Sequence, residues 1–574
     1  MRKKIYQLHR RLSIIIAIPV LLWAISGFMH PLMTNIRPAI ATQGIPSIPI
    51  DTQRVRFPLA EALRKHHLDS FSNFRLVHID TNWFYQVQPL AAGDGNNIAG
   101  IPVYISCTNG NILTAGDWLY AQYLARQFLE GAADVQPPPQ IASPHATSPD
   151  NDSSSSRTGP SAPHVHTASL PNDAASLLTA AVSLHDEASS THDCCGAATE
   201  SVLNPVKGAK VANVSLVKAF DNEYKGINRL LPVYRVSFDR PDGIRIYVET
   251  TQDRFSFAMD NRRAIFDEIF RLCHTWGWLD FLGKGRLAVE TLVALAALLT
   301  TVLGIYIFFT THGARSNGNG LVKARRNHRY TAIVASLFTL LWTFSGSFHA
   351  FSKFTDDTRD RYFAAPHFAA GMANGDCVRL QSVCARPITN MSLVQMNGDN
   401  YWRVTLLPEK AAAHKDLMKD AKTAPPPVSY IRAADYSVLA EGDARYAAYL
   451  AGTFSQHPPA DIRSVTAVTS FGDEYNFTDK RLPVWKVSYA GGHNERLYIE
   501  TSTGKLASRV DDRSVVEGYS FSIFHKHHFM DAGGKTARDV STMFWAFMQV
   551  VLVTMGLILW FRRRNARKER SLLS

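Results

Sequence analysis

Two stretches of the sequence decide the fold: LLWAISGFMH at residues 21–30 and LLWTFSGSFH at residues 340–349. Both are strongly apolar, and each ends in a histidine, His30 or His349. A second histidine, His9 or His328, precedes each stretch by the same distance, so the offset between the copies is 319 throughout. Self-similarity at this scale predicts an internal duplication.

The duplication is built around membrane helices. Four apolar segments reach the roughly 20 residues that a bilayer core requires, namely 12–33, 287–309, 330–350 and 540–561. The first segment is too long for a typical signal peptide, and residues 33–35 lack a small-x-small cleavage site, so we expect a retained anchor.

The net charge of +12 is concentrated beside the apolar segments, which favours membrane topology over nucleic-acid binding. Basic clusters lie at residues 2–11, 323–329 and 562–570. Because such clusters stay in the cytoplasm, both termini are predicted to be cytoplasmic in a bacterial inner membrane. The predicted parts are a cytoplasmic N-terminus with the first helix (1–33), a periplasmic domain (34–286), a second helix (287–309), a basic cytoplasmic loop (310–329), a third helix (330–350), a second periplasmic domain (351–539), a fourth helix (540–561) and a basic tail (562–574).

The periplasmic segments carry strand patterns in both halves. Alternating apolar residues predict strands at 74–80, 83–88 and 102–106, followed by a helix at 118–129. A hairpin is predicted at 232–250, and its copy at 483–501. The fold class is therefore membrane α-helical, with four transmembrane helices, a two-fold repeat and two periplasmic α+β modules.

The first half contains an insertion. The offset between copies falls from 326 near Gly116 to 251 near Tyr224, so the first half has 75 additional residues, about 132–205. This segment is rich in Pro, Ser, Ala and His, and its composition predicts a disordered surface insertion. Metal collection by its histidines is the alternative.

These features together resemble the PepSY-associated transmembrane family. The resemblance rests on the His-Arg start of a span, the Ser-Gly near its far end, Leu-Pro-Val before a hairpin (231–233 and 482–484), and the duplication. It covers nearly the whole chain except the insertion. The family includes inner-membrane ferric-siderophore reductases and iron-regulated membrane proteins, so the resemblance implies a haem-containing reductase that faces the periplasm.

Three matched histidine pairs are the candidate haem ligands. His9 and His30 are 21 residues apart, as are His328 and His349, which places each pair about 31 Å apart along a helix, close to the hydrocarbon thickness. His9 with His328 would form an inner site, and His30 with His349 an outer site. The third matched pair, His274 and His525, is expected at the periplasmic membrane surface. These histidines could ligate the outer haem instead, for example His274 together with His30.

The other candidate sites carry weaker signals. A single boundary histidine is more often an interfacial polar residue than a ligand. Trp23 and Trp342 are expected to be core residues, although they could contact a macrocycle. Cys377 and Cys384 allow a small-loop disulfide, whereas a metal site at residues 525–528 lacks further ligands. The sequence has no haem c attachment motif and no dinucleotide or phosphate loop.

The sequence therefore predicts an electron-transfer protein with two non-covalent b-type haems. Its expected partners are membrane lipid, an acidic cytoplasmic donor such as ferredoxin or flavodoxin, and a periplasmic ferric siderophore or other Fe(III) chelate, the substrate class being implied by the family resemblance. Two alternatives remain: a non-enzymatic anchor whose modules bind a peptidase or transport partner, and a metal transporter. The spans lack the intramembrane acids typical of transporters.

Overall fold

A computed structural model describes the chain in segments. They are residues 2–90, 100–131, 209–228, 230–312, 320–355, 364–409, 427–455, 457–472, 474–491 and 493–572. The predicted insertion at 132–205 lies outside these residues.

The helices of the described residues are α1 (Arg2–Ile15), α2 (Ala17–Asn35), α3 (Leu59–Lys65), α4 (Gly116–Glu130), α5 (Asn261–Cys273), α6 (Gly285–Thr310), α7 (Gly320–Thr355), α8 (Cys377–Ser382), α9 (Gly442–Phe454), α10 (Asp512–Ser520) and α11 (Gly534–Leu572). The strands are β1 (Ser70–Phe71), β2 (Asn73–Ile79), β3 (Asn82–Gln88), β4 (Val103–Ser106), β5 (Val211–Val217), β6 (Val233–Phe238), β7 (Arg245–Glu249), β8 (Arg254–Met259), β9 (Phe368–Ala369), β10 (Ile388–Met396), β11 (Asp399–Leu406), β12 (Val428–Arg432), β13 (Val438–Leu439), β14 (Ile462–Val468), β15 (Val484–Tyr489), β16 (Arg496–Glu500) and β17 (Lys505–Val510).

The prediction of four apolar spans is confirmed. Helices α2, α6, α7 and α11 are long and apolar enough to cross a membrane. They form a four-helix bundle in which α6 packs on α7, α7 on α11, and α11 on α2, while α1 packs on α6. Only 11–28% of each span is buried inside the protein, so the outward surface is apolar and suits a hydrocarbon environment.

Antiparallel sheets in the same order occupy both long segments between the spans. In the first, β2–β3–β4 is followed by α4 and the sheet β5–β6–β7–β8; in the second, β10–β11–β12–β13 is followed by α9 and the sheet β14–β15–β16–β17. The strand, helix and hairpin predictions hold to within a few residues. Each helix packs its apolar face between the two sheets of its segment, as Leu124 and Phe128 do against Val236 and Ile246.

The two segments share a core. Phe71 packs against Phe368 with ring centroids 5.6 Å apart, and Phe74 against Trp402 at 6.1 Å. Asn390 also donates from Nδ2 to the Leu76 carbonyl at 3.1 Å. These contacts hold the sheets of the first and second halves together.

Two helices that the sequence analysis did not predict connect the sheets to the bundle. Helix α5 follows β8 and is capped by Asp260, whose carboxylate accepts from Arg263 N; helix α10 follows β17 and is capped in the same way by Asp511. Helix α10 continues into a single π turn, Phe521–His525. Each connection delivers one of the matched histidines, His274 or His525, to the bundle.

Candidate functional site

The six predicted histidines lie in two groups at different levels of the bundle. The inner pair consists of His9 on α1 and His328 on α7, whose imidazoles are within electrostatic range of one another. The outer cluster is formed by His525 and three histidines within electrostatic range of it. These three are His30, His274 and His349. The structure thus places the histidines of both predicted outer sites, His30 with His349 and His30 with His274, in one cluster.

The inner pair packs against backbone and glycine. His9 Nδ1 lies 3.0 Å from the Thr300 carbonyl of α6. Because a carbonyl only accepts, Nδ1 carries the hydrogen, and Nε2 of a neutral His9 keeps its lone pair. A Cβ at Gly304 would lie 3.2 Å from His9 Cε1, so a larger residue there would force the ring to shift by a few tenths of an ångström.

His328 has matching surroundings on α11. The Leu552 carbonyl interacts with its ring, although no hydrogen bond of normal geometry forms at Nδ1. A Cβ at Gly556 would lie 3.5 Å from His328 Cε1, an ordinary contact. Thr300 and Leu552, like Gly304 and Gly556, are 252 residues apart, so the two inner rings face equivalent positions.

His274 and His525 face each other at the centre of the outer cluster. Their ring centroids are 6.2 Å apart, and the ring planes are nearly perpendicular, at 81°. Ser26 Oγ lies 3.0 Å from His274 Nδ1, and Ser345 Oγ lies 3.2 Å from His525 Nδ1. The backbone is held as well, since two indole groups donate to the histidine carbonyls: Trp23 Nε1 to His274 O at 2.9 Å and Trp342 Nε1 to His525 O at 3.0 Å.

A phenylalanine contacts both outer histidines of each half. The Phe270 ring lies 4.5 Å from that of His274 and 5.4 Å from that of His30. The Phe521 ring lies 4.6 Å from that of His525 and 4.1 Å from that of His349. Ring contact across the two halves occurs instead between His274 and His525.

His30 and His349 differ in their neighbours. His349 Nδ1 pairs with Glu517 of α10. His30 lines a shallow cleft with apolar side chains, among them Met33 and Phe266. Phe266 and Glu517 are 251 residues apart, so the carboxylate of the second half stands where the first half has a phenyl ring.

Electrostatics keeps the facing pair neutral. Burial lowers the pKa of His274 to about 4, with a smaller contribution from His30. Burial also lowers the pKa of His525 well below its ordinary value, assisted by His274. Both imidazoles are therefore uncharged at neutral pH, which is the form that binds a metal.

These donors suit a haem better than a bare metal ion. His274 and His525 lie close enough together, with ring centroids 6.2 Å apart, that their imidazoles would hold one haem iron. Among the described residues, no group of three or more His, Cys, Asp or Glu side chains converges on one point. A pair of histidines alone fits a cofactor that supplies its own equatorial ligands.

The remaining candidate residues do not assemble into sites. Cys377 and Cys384 are free thiols, so the disulfide that their spacing allowed is not formed, and Cys377 Sγ instead lies 3.7 Å from Met391 Sδ. Cys107 and Cys273 are also free. The predicted weak metal cluster is dispersed, because the ring of His527 stacks on Trp342 while His528 pairs with Asp531 at 2.7 Å.

Sequence reasoning missed the partners of the histidines. Ser26 and Ser345 belong to the quoted motifs, but their spacing gave no sign that they meet residues 248 and 180 positions away. Glu517 has no counterpart in the first half and carried no signal. In a comparison with known proteins, no family model and no curated protein matches this chain.

Proposed function

We propose that this chain is a b-type haem protein that carries electrons across the bacterial inner membrane and reduces periplasmic ferric siderophores or other Fe(III) chelates. The observation that carries the proposal is the pairing of histidines at two levels of an apolar four-helix bundle. In this proposal the chain is a tandem of two PepSY-like units, as the family resemblance implies, with both termini in the cytoplasm.

The spacing of the two levels supports two haems on opposite sides of the bilayer. His9 is 17 residues before Ser26, the partner of His274, and His328 is 17 residues before Ser345, the partner of His525. At 1.5 Å per residue, the two levels are about 25 Å apart along the helices. We assign the inner haem to His9 and His328 and the outer haem to His274 and His525.

The haems would supply one-electron chemistry when bound, and the residues of the chain would hold and orient them. The imidazoles would bind the iron, Gly304 leaves the His9 ring its space, and the apolar surroundings would exclude water and so influence the redox potential. His30 and His349 flank the outer site without ligating it.

The ends of the bundle suit the two partners. Helices α1, α7 and α11 carry basic residues at the end of the inner pair, which complements an acidic donor such as ferredoxin or flavodoxin. The sheets stand at the end of the outer cluster, where a ferric chelate would receive one electron for each iron. Reduction of Fe(III) to Fe(II) weakens its binding by hard oxygen ligands and releases the metal.

The experiment is a reduced-minus-oxidised spectrum with haem-to-protein stoichiometry on the purified chain and single variants. The wild type is expected to hold two haems, and His274→Ala and His525→Ala one each. His30→Ala and His349→Ala should retain two. His312→Ala is the control, because this exposed histidine has no matched counterpart.

Two results would count against the proposal. A wild-type protein without Soret absorption, after expression with ample haem, excludes haem altogether. Loss of the outer haem in His30→Ala and His349→Ala, with retention in His274→Ala, reverses the assignment of the outer ligands.

A further inference from the structure

The serines of the two quoted motifs determine which nitrogen of the facing histidines carries the hydrogen. The Ser26 hydroxyl donates to carbonyls of its own helix, at 2.8 Å to Leu22 and 3.0 Å to Trp23. A hydroxyl has one hydrogen, and while either of these carbonyls accepts it, the contact with His274 at 3.0 Å uses an oxygen lone pair. His274 Nδ1 is therefore the donor, and its Nε2 is left with a free lone pair.

The second half repeats this arrangement. Ser345 Oγ donates to the Leu341 carbonyl at 2.7 Å and accepts from His525 Nδ1 at 3.2 Å. Both serines are completely buried, with exposed fractions of 0% and 1%, so water does not compete for either bond. The hydroxyl that donates to a carbonyl is polarised, which makes it a better acceptor for the imidazole.

We infer that Ser26 and Ser345 are positioning residues that hold His274 and His525 in the Nδ1–H tautomer, and thereby set the affinity and the redox potential of the outer haem. The inference rests on the proposed function. Partners of this kind orient a ligating imidazole and raise its basicity. Each ring is fixed twice, because the same histidine accepts a tryptophan indole hydrogen at its backbone carbonyl.

The test combines Ser26→Ala and Ser345→Ala, singly and together, with three readouts: haem affinity, the midpoint potential of the outer haem and its low-spin electron paramagnetic resonance spectrum. Loss of this kind of partner typically weakens binding by about 10–100-fold. A less basic imidazole stabilises Fe(III) less, so the potential of the outer haem should rise. The spectrum should broaden as both tautomers become populated, and the inner haem should not change.

Matched variants separate positioning from packing. Ser26→Thr and Ser345→Thr keep the hydroxyl and should restore the wild-type potential, whereas Ser26→Cys keeps the volume but accepts weakly and should shift the potential in the same direction as alanine. Ser347→Ala is the control, because this buried hydroxyl donates to the Phe344 carbonyl of its own helix at 2.9 Å and has no histidine partner among the described residues. It should leave all three readouts unchanged.

The outcomes distinguish this inference from the proposed function. If the wild type contains two haems but the alanine and cysteine variants keep its potential and spectrum, the positioning role is wrong and the haem proposal stands. If Ser347→Ala produces the same changes as Ser345→Ala, the effect is one of helix packing, and the inference is overturned. A wild type without haem overturns both.

Discussion

The two halves of the protein hold His274 and His525 by the same contacts but surround these histidines with different side chains. In both halves the ring is bonded to a serine and the backbone to a tryptophan. Around these contacts, matched positions diverge: Phe266 of the first half corresponds to Glu517, and Trp276 to His527. Both halves make the contacts that orient the rings, whereas at these two matched positions the second half alone carries a polar group.

This difference separates the contacts that both halves make from those that one half makes. Serine and tryptophan act on His274 and His525 equally, which a site on the boundary between halves requires. Glu517 pairs with His349 and gives the second half a carboxylate next to the outer cluster. The two halves are therefore equivalent at the rings and different in the charge around them.

The two halves also differ in the sheets, in the charged surroundings of the matched residues Glu249 and Glu500, which are 251 residues apart. Glu500 is fully buried between Arg254 of the first half and Arg481, whose Nη1 lies 2.7 Å away. Burial opposes its ionisation, but the two guanidinium groups lower the pKa of Glu500 far below its usual range. Glu249 lies 3.6 Å from Arg254, and its Oε2 makes no hydrogen bond.

The largest effect is expected when Glu500 is neutralised. Glu500→Gln leaves Arg254 and Arg481 buried without their carboxylate, which should lower the free energy of unfolding by about 3–5 kcal/mol. The matched change Glu249→Gln should cost clearly less, because the Glu249 carboxylate lies 3.6 Å from Arg254 and its Oε2 accepts no hydrogen bond among the described residues. Thermal unfolding of both variants checks this order, and equal losses would show that the halves are not held together by Glu500.

A smaller, pH-dependent effect is expected at Asp117. Burial raises the pKa of Asp117 to about 6, whereas hydrogen bonds, among them that from Tyr104 Oη at 2.8 Å, oppose the rise. The folded chain thus keeps a proton that the unfolded chain loses near pH 4, so this group reduces stability as the pH rises from about 4 to 6 and leaves it unaffected below that range.

Asp117→Asn should remove this loss. Relative to the wild type, the variant should gain about 2–3 kcal/mol between pH 4.5 and pH 7, as followed by its unfolding midpoint. The matched Asp443 lies 3.7 Å from Arg403 and accepts from Trp485 Nε1. Asp443→Asn deprives Arg403 of its carboxylate and should show no such gain; the same gain in both variants would contradict the assignment to Asp117.

The smallest effect is expected at the glycines beside the inner pair. Gly304→Ala places a Cβ 3.2 Å from His9, so the ring must move, and haem retention should fall a few-fold. Gly556→Ala meets His328 at 3.5 Å and should be tolerated, with a gain in helix propensity of up to about 1 kcal/mol. The haem content of the two variants after gel filtration provides the measurement, and equal retention would show that the closer contact at His9 has no effect.

Patterns within short stretches predicted most of the fold. The four spans, the hairpins and the helix at Gly116–Glu130 follow from local periodicity and turn residues, which act over a few positions. Helices α5 and α10 were missed, although Asp260 and Asp511 are ordinary N-caps, because their apolar stripes are short and adjoin a span. Matched spacing selected all six histidines without establishing which rings would meet.

The partners of those histidines could not be predicted because they are set by packing across long stretches of chain. Nothing local to Ser26 indicates that it will meet a ring 248 residues later, since the contact depends on how deep α5 enters the bundle. Whether His30 or His274 would ligate the outer haem is also set by packing between distant parts of the chain. It depends on the side of α2 that faces the other half, which a pattern along one helix leaves open.

Among the described residues, the hydrogen bonds and glycine contacts of the facing and inner histidines come from the same half as the histidine itself. His9 bonds to Thr300 and His274 to Ser26, while His328 packs on Gly556 and His525 bonds to Ser345. A half-length chain would therefore carry two complete half-sites. Under the proposed function, two copies of such a half-length chain related by a two-fold axis would bring equivalent imidazoles face to face and would hold both haems between them.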